Sequence, residues 1–599
     1  MECLEYPFDG KTIMRKRRAI RRELLCQDNL LEKHIAVLGG STTHDIKEIL
    51  ELFLLNYGIK PVFFESEYAQ YWQDAVFGND ALKGLKPDII YIHTSNRNIP
   101  AYPKITDSET DINALLEHTY SHFQVMWDKL REEYACPIIQ NNFESPYFRL
   151  LGNQDAWNIR GRTNFISRLN QKFYDYAQHH SDFFINDINY LSADYGLQAW
   201  SDPYSWHMYK YALCQDAIPT LAFNIANMIK SIYGKNRKAL ALDLDNTLWG
   251  GVVGDDGADN LELGQETSMG QAYAEFQQYL KGLRSMGILL TVVSKNEMEN
   301  AIAGIRHPQM LLKEEDFVRI KANWEPKSRN LMCLAEELSL LPESFVFVDD
   351  NPAEREIVRQ QVPRAAVPLM ERPEDYIRAI DRAGYFEMTN LSADDMKRND
   401  MYRENMKRAA LESAFSDYHD YLLSLDMHAD IRPFQPVYLA RIAQLTNKSN
   451  QFNLTTRRYT REELERAAAD PRCITLYGKL ADRFGDNGVV SVVIGRQEDE
   501  RLDIVLWLMS CRVLKRDMEF AMMDTLVERC RERGIRTIRG YYYPTAKNAM
   551  VKGFYGTQGF RKVEEGPSGD TVWECRIDQG YQRKNHVIQI NGGTEHEEN

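Results

Sequence analysis

Ala239-Leu-Ala-Leu-Asp243-Leu-Asp245-Asn-Thr247-Leu-Trp249-Gly-Gly251 constrains this chain more than any other stretch. Its apolar start reads as a short buried strand, and that strand ends on two carboxylates one residue apart. Side chains alternate along a strand, so Asp243 and Asp245 would share a face if the backbone stayed extended; a turn must splay them. Two acids this close repel each other unless a cation lies between them, and a hard ion such as Mg²⁺ is the natural third party. The carboxyl edge of a strand is also where α/β sheets put their chemistry. Taken alone, the stretch has an acidic loop after a core strand as its lesser alternative, and the residues downstream decide between the two.

Gln271–Met286 has the period of an amphipathic helix and stops at Gly287. Ile288–Val293 is a second buried strand, finishing on Ser294-Lys295-Asn296, where a hydroxyl and turn amides make a cradle for phosphate oxygens. Lys327, directly after Pro326, opens another helix. Ser344–Val348 is a third strand, ending on Asp349-Asp350-Asn351-Pro352. Strand ends carrying an Asp pair, a Ser and a second Asp pair, with a Lys before the third, form an ordered set that resembles the haloacid dehalogenase-like phosphatase superfamily. The resemblance implies that Asp243 attacks phosphorus and that Asp245 exchanges protons with the leaving group and water. It implies a Mg²⁺ site at Asp243, Asp245 (through its main chain), Asp349 and Asp350, and phosphate binding by Thr247, Ser294, Asn296 and Lys327. Between Thr247 and Ser294 little chain is left for a lid beyond Gly250–Gly264, so the site is expected to be open.

The flanks read differently. Residues 1–34 carry a basic cluster, Lys11 to Arg22, expected to be a helical arm with a solvated face. His34-Ile-Ala-Val-Leu-Gly39-Gly40-Ser41 is a strand running into a glycine turn, and strands and helices alternate after it in the manner of a doubly wound domain. This part resembles SGNH-type hydrolases, with Ser41, Asp202 and His207 as the candidate triad. The spacing of Asp202 and His207 departs from that family, and a degenerate site is the expectation. Beyond a charged helical connector (Asp394–Glu412), strands near Val489–Ile494, Ile504–Met509 and Thr537–Tyr543 resemble GNAT-type acyltransferases. The segment Arg512–Asp517 lacks the glycine with which that family approaches the coenzyme A pyrophosphate. At the strand–helix junction stands Cys511 instead, beside Arg512 and near Lys515 and Arg516, where cations and helix amides would favour thiolate. A buried, inert cysteine is the alternative.

The fold class expected is therefore α/β and multi-domain: an SGNH-like doubly wound N-terminal domain, a HAD-like Rossmannoid domain with a minimal cap, and a GNAT-like α+β C-terminal domain. The boundaries read as 1–34, 35–234, 235–375, 376–575 and a polar, flexible tail at 576–599. Nine scattered cysteines without C-x-x-C spacing suit a reducing compartment. With a net charge of −14 and no long apolar run, neither nucleic acid nor membrane is an expected partner, and the expected location is the cytoplasm.

The joined set, with Asp-Asn-Thr-Leu-Trp-Gly-Gly at the first motif, Gln451-Phe-Asn-Leu-Thr-Thr-Arg-Arg-Tyr459 and Ser510-Cys-Arg-Val-Leu514, resembles the FkbH-like family. That resemblance implies a glyceryl transferase/phosphatase of polyketide biosynthesis, which takes a glyceryl unit from 1,3-bisphosphoglycerate, removes phosphate, and loads the unit through a thioester onto an acyl carrier protein. The alternative is a phosphatase acting on another phosphomonoester, a sugar phosphate or a phosphoprotein, with the flanking domains as docking modules.

Overall fold

Ile35 to Leu38 are apolar without interruption, the pattern of a strand covered on both faces, and they lie on an interior strand of a parallel sheet. In the computed structural model, which describes residues 1–591 apart from Asp28, Asn29, Asn450, Ala546 and Gln579, two compact units are present. The first comprises Met1–Ile232 with Glu387–Asn390. Its strands β1 (Leu31–Gly39), β2 (Ile59–Glu65), β3 (Ile89–His93), β4 (Ile138–Asn141) and β5 (Phe183–Asn186) pair in the order β2-β1-β3-β4-β5, all parallel. The winding reverses between β1 and β3, which makes their carboxyl ends the topological switch point. The basic helix Gly10–Leu24 is not the freely solvated arm expected from sequence. Ile13, Ile20 and Leu24 are buried, while Arg17 and Arg21 pair with Glu48 at 2.8 Å and Glu51 at 2.7 Å on the next helix. Its charge is taken up locally by acids that sequence order alone does not place opposite it.

The second unit comprises Tyr233–Phe386 and Leu391–Asn599. Its first part is a parallel sheet of β6 (Ala239–Leu242), β7 (Leu289–Ser294), β8 (Phe317–Ala322) and β9 (Phe345–Val348), ordered β8-β7-β6-β9. Strand β8 is an edge strand that the sequence reading lacks: Arg319, Ile320 and Lys321 are only partly covered, so no apolar run announces it. Alternate residues of β6 and β9 pack against Leu331, Leu334 and Ala335 of the helix Lys327–Glu337. That packing sets the first turn of the helix, and Lys327 with it, against the carboxyl ends of both strands.

The remaining strands are β10 (Met427–Arg432), β11 (Phe452–Asn453), β12 (Cys473–Asp482), β13 (Gly485–Glu498), β14 (Arg501–Met509), β15 (Thr537–Tyr542), β16 (Arg561–Glu565), β17 (Thr571–Arg576) and β18 (Ile588–Asn591). They form one mixed sheet in the order β16-β17-β15-β14-β13-β12-β10-β18. Strand β14 pairs in parallel with β15 only from Arg501 to Ile504, and the two then splay. The gap between them is filled by the chain itself: β11 pairs with Leu508 and Met509, Leu454 N donates to Trp507 O at 3.0 Å, and Tyr543 N donates to Leu454 O at 2.9 Å. Strand β18, parallel to β10, lies in the stretch expected to be a flexible tail. Its apolar residues Val587 and Ile588 are buried in the core of this sheet, which outweighs the polar composition around them. The end of the expected tail, residues 592–599, lies outside the described residues. The connector forms the helix Arg398–Glu412, and Arg408, buried, grips fully buried Asp482 through two bonds of 2.7 Å. Among the described residues no helix is long and apolar enough to cross a membrane.

Candidate active site

Strand β6 stops at Leu242, and the backbone then turns through Asn246, whose φ of 53° is left-handed. The turn separates the two acids. Asp243 stays against the sheet, its N–H donating to Val348 O at 2.9 Å, and its carboxylate meets Lys327 Nζ at 2.6 Å. The same ammonium reaches Asp349 Oδ2 at 2.6 Å. Burial opposes the charge on Lys327, but the two carboxylates outweigh it and hold its pKa above the ordinary lysine value. Burial, and then the charge of Asp243, push Asp349 and Asp350 above the usual carboxylate range.

Asp243, Asp349 and Asp350 offer carboxylate oxygens within 4.8 Å of one another. One lysine does not balance three acids, and Asp243 Oδ1 is buried without a hydrogen-bond partner. An all-oxygen donor set with excess negative charge and an unsatisfied buried acceptor fits a hard divalent cation. The loop carrying Asp349 and Asp350 is fixed from behind by Arg355, whose guanidinium donates to both of their carbonyls and to Met370 O.

The Asp245 side chain stands apart from that cluster. It accepts from Trp249 Nε1 at 2.9 Å, Val253 N at 3.0 Å and Asn296 Nδ2 at 2.8 Å. Trp249 and the Val253 amide had no assigned role in the sequence reading, although both follow the Asp motif directly. Asn296, expected to bind phosphate, is engaged with Asp245 and lies 3.4 Å from Ser294 Oγ. Ser294 and Thr247 are buried at the same edge, and Thr247 Oγ1 has no partner. The residues picked from four separate stretches thus converge on the carboxyl ends of β6, β7 and β9. Above them, Gly250–Gly264 forms only a small flap, pinned by paired bonds between Gly250 and Glu262 at 3.1 and 2.9 Å.

The sequence profile of the FkbH N-terminal domain matches residues 34–230. The N-terminal part of BF1531 from Bacteroides fragilis, which contains a phosphatase domain and was solved in complex with Mg, is 29% identical, with a TM-score of 0.58 over 62% of this chain and 99% of that one. Over residues 34–230 the chain is FkbH-like. It is an enzyme with a haloacid-dehalogenase-type phosphatase domain. Ribosomal-protein-S18-alanine N-acetyltransferase from Escherichia coli matches 26% of the chain at 11% identity and a TM-score of 0.21, covering 99% of that protein. Ard1 from Thermoplasma volcanium matches 25% at 17% identity and a TM-score of 0.20, covering 97% of it. Overlaps that slight transfer no activity. No curated protein matches.

Cys511 follows β14 in a single 3-10 turn, Cys511–Val513, capped by Ser510. The long helix starts only at Met518, so Cys511 is not at its N-terminus and the expected amide dipole is not aimed at the thiol. The neighbouring cations are also directed elsewhere: Arg512 Nε donates to Ser510 Oγ at 3.2 Å, and Arg516 turns to Asp482 and Asn405. What faces the thiol comes from distant sequence. Tyr402, whose hydroxyl is raised above its ordinary pKa by burial and by Cys511, is one neighbour, and Lys238 is another. No local pattern marks either residue.

Ser41 lies at the β1/β3 switch point, buried, with Oγ unpartnered. Asp202 is occupied as the N-cap of the helix Pro203–Tyr209, accepting from Tyr204 N at 3.0 Å and Ser205 Oγ at 2.5 Å. His207 is exposed on that helix. Among the described residues neither forms a hydrogen bond with Ser41 or with the other, so no triad is assembled.

Proposed function

We propose that this FkbH-like protein is a Mg²⁺-dependent phosphatase and acyltransferase that takes a phosphoglyceryl unit from 1,3-bisphosphoglycerate, removes its phosphate, and loads the glyceryl unit through a Cys511 thioester onto an acyl carrier protein. The observation that carries the phosphatase half is the Asp243–Lys327–Asp349 contact, 2.6 Å on each side, at a strand edge with one free carboxylate oxygen. Asp243 Oδ1, with no hydrogen bond to break, is the nucleophile toward phosphorus. Asp245, held by three donors, gives its proton to the departing ester oxygen and then takes one from the water that releases phosphate. Lys327, Ser294 and Thr247 receive the phosphoryl oxygens, over which the transition-state charge spreads. Asp243, Asp349 and Asp350 would hold a Mg²⁺ ion, which would supply neutralisation of that charge.

The acyl half rests on Cys511, half-buried beside Tyr402 and Lys238. Because β11 fills the gap between β14 and β15, an acyl phosphate, which needs no such gap, is favoured as donor over coenzyme A. The small flap over the Asp243 site suits a substrate tethered to a protein. We place the reaction in the cytoplasm and in polyketide biosynthesis, with neither nucleic acid nor membrane as partner. The N-terminal unit serves in docking: Ser41→Ala is expected to leave phosphate release and acyl loading within about twofold of wild type, and a loss as large as that of an Asp243 variant would make Ser41 a nucleophile after all.

Metal removal tests the phosphatase half. Exhaustive chelation is expected to lower phosphate release at least about 100-fold, with full recovery on adding Mg²⁺, because the site's donors are all oxygens. Undiminished turnover in the metal-free protein would rule out this site.

A further inference from the structure

A cavity opens within the second unit, and its lining includes Cys511 with six cationic side chains, Lys235, Lys238, Arg398, Arg441, Arg512 and Lys547. The one carboxylate in that lining, Glu343, is paired with Lys547 at 3.0 Å. Arg398 is paired with buried Asp395 outside the lining, and the excess of positive charge that remains fits an anion. Lys238 is the member that faces the thiol, and it takes no ion pair or side-chain hydrogen bond among the described residues. Burial lowers the pKa of Lys238, and its attraction to Cys511 and to Glu343 acts against that. An ammonium drawn out of water with no anion in hydrogen-bond contact is short of a partner.

The place of this cavity separates it from the phosphatase site. Lys238 precedes β6 and its N–H donates to Ser344 O, ahead of β9, at 2.7 Å, so the cavity lies at the amino edge of the four-stranded sheet. Asp243 lies at the carboxyl edge, five residues further along the strand, a span of roughly 17 Å. Between them the residues of β6 and β9 are fully buried. A phosphate held at Lys238 is therefore not the phosphate attacked by Asp243.

We propose that the Cys511 cavity binds the phosphoryl end of an acyl phosphate, with Lys238 receiving the phosphate that departs when Cys511 is acylated. This rests on the reading of Cys511 as acyl acceptor. In the step, the Cys511 sulfur bonds to the acyl carbon and the carbon–oxygen bond to phosphate breaks. The phosphate leaves with the electron pair, and the thiol proton ends on it as hydrogen phosphate. Lys238 stays an ammonium throughout, stabilising the dianion as it forms.

The test compares wild type, Lys238→Met, which keeps the aliphatic stem, and Lys238→Arg, which keeps the charge. Acylation of Cys511 is followed at peptide level by mass spectrometry with two donors, acetyl phosphate and the uncharged thioester S-acetyl-N-acetylcysteamine. Lys238→Met is expected to slow the acetyl phosphate reaction about 100-fold, and the thioester reaction less than about threefold, with Lys238→Arg recovering most of the loss. In parallel, inorganic phosphate should protect Cys511 from iodoacetamide in wild type and in Lys238→Arg, but not in Lys238→Met. Equal losses with both donors, or phosphate protection that survives Lys238→Met, overturns the assignment of Lys238 while leaving Cys511 as acceptor. A wild-type protein acylated at Cys511 by neither donor overturns both.

Discussion

Asp243→Asn is expected to lower release of inorganic phosphate from a phosphomonoester by about four orders of magnitude while the protein stays folded. Asparagine has nearly the shape of aspartate, keeps the N–H bond to Val348 O, and leaves Lys327 its 2.6 Å contact with Asp349. It also removes one of three crowded acids, so no buried charge loses its only partner. What is lost is the oxygen nucleophile, for which no neighbour substitutes: Asp349 is bound to Lys327 and to Asn351 N, and Asp245 is turned away. The measurement is steady-state phosphate release with saturating Mg²⁺, with circular dichroism confirming the fold. Turnover near the wild-type rate would falsify Asp243 as the attacking group.

The second large effect belongs to Cys511→Ser. Transfer of the acyl unit to carrier protein is expected to fall by about three orders of magnitude, with phosphate release from a free phosphomonoester unchanged. A serine hydroxyl stays protonated without a dedicated base, and Tyr402 and Lys238 are a buried phenol and an ammonium, not such a base. The selectivity follows from the sheet, since the two groups sit at opposite ends of β6. Loss of both activities together would indicate misfolding or a shared site; normal loading would move the thioester to another of the cysteines.

The two sites differ in how far they could be read from sequence, and the reason is physical. Strand ends bearing Asp243, Ser294 and Asp349 lie next to largely apolar runs, because parallel strands buried on both faces carry few polar residues, Thr291 being the exception. Their chemistry is therefore announced by composition. Lys327 was legible for a similar reason: a helix begins there, after Pro326. Strand β8 was missed because an edge strand with Arg319 and Lys321 has no such run. Strand β18 was missed because a few apolar residues around Ile588 find a partner, β10, that is remote in sequence. The surroundings of Cys511 were misread for a related reason. Proximity in sequence suggested Arg512, Arg516 and a helix terminus, but Arg516 is drawn off by buried Asp482, and Lys238 and Tyr402 arrive from other elements. In the N-terminal unit Ser41 was placed correctly at a strand end, whereas Asp202 is held as a helix cap, a use that its sequence neighbours Pro203 and Tyr204 already favour.

The most direct test of the whole account is the intact mass of the protein after incubation with Mg²⁺ and 1,3-bisphosphoglycerate, with and without acyl carrier protein. The account predicts a phosphoglyceryl adduct on Asp243→Asn, mapped to Cys511, no adduct on Cys511→Ser, and a carrier bearing the glyceryl unit without phosphate when the wild-type enzyme is present. An unmodified carrier and an unmodified Cys511 in every one of these mixtures would contradict it.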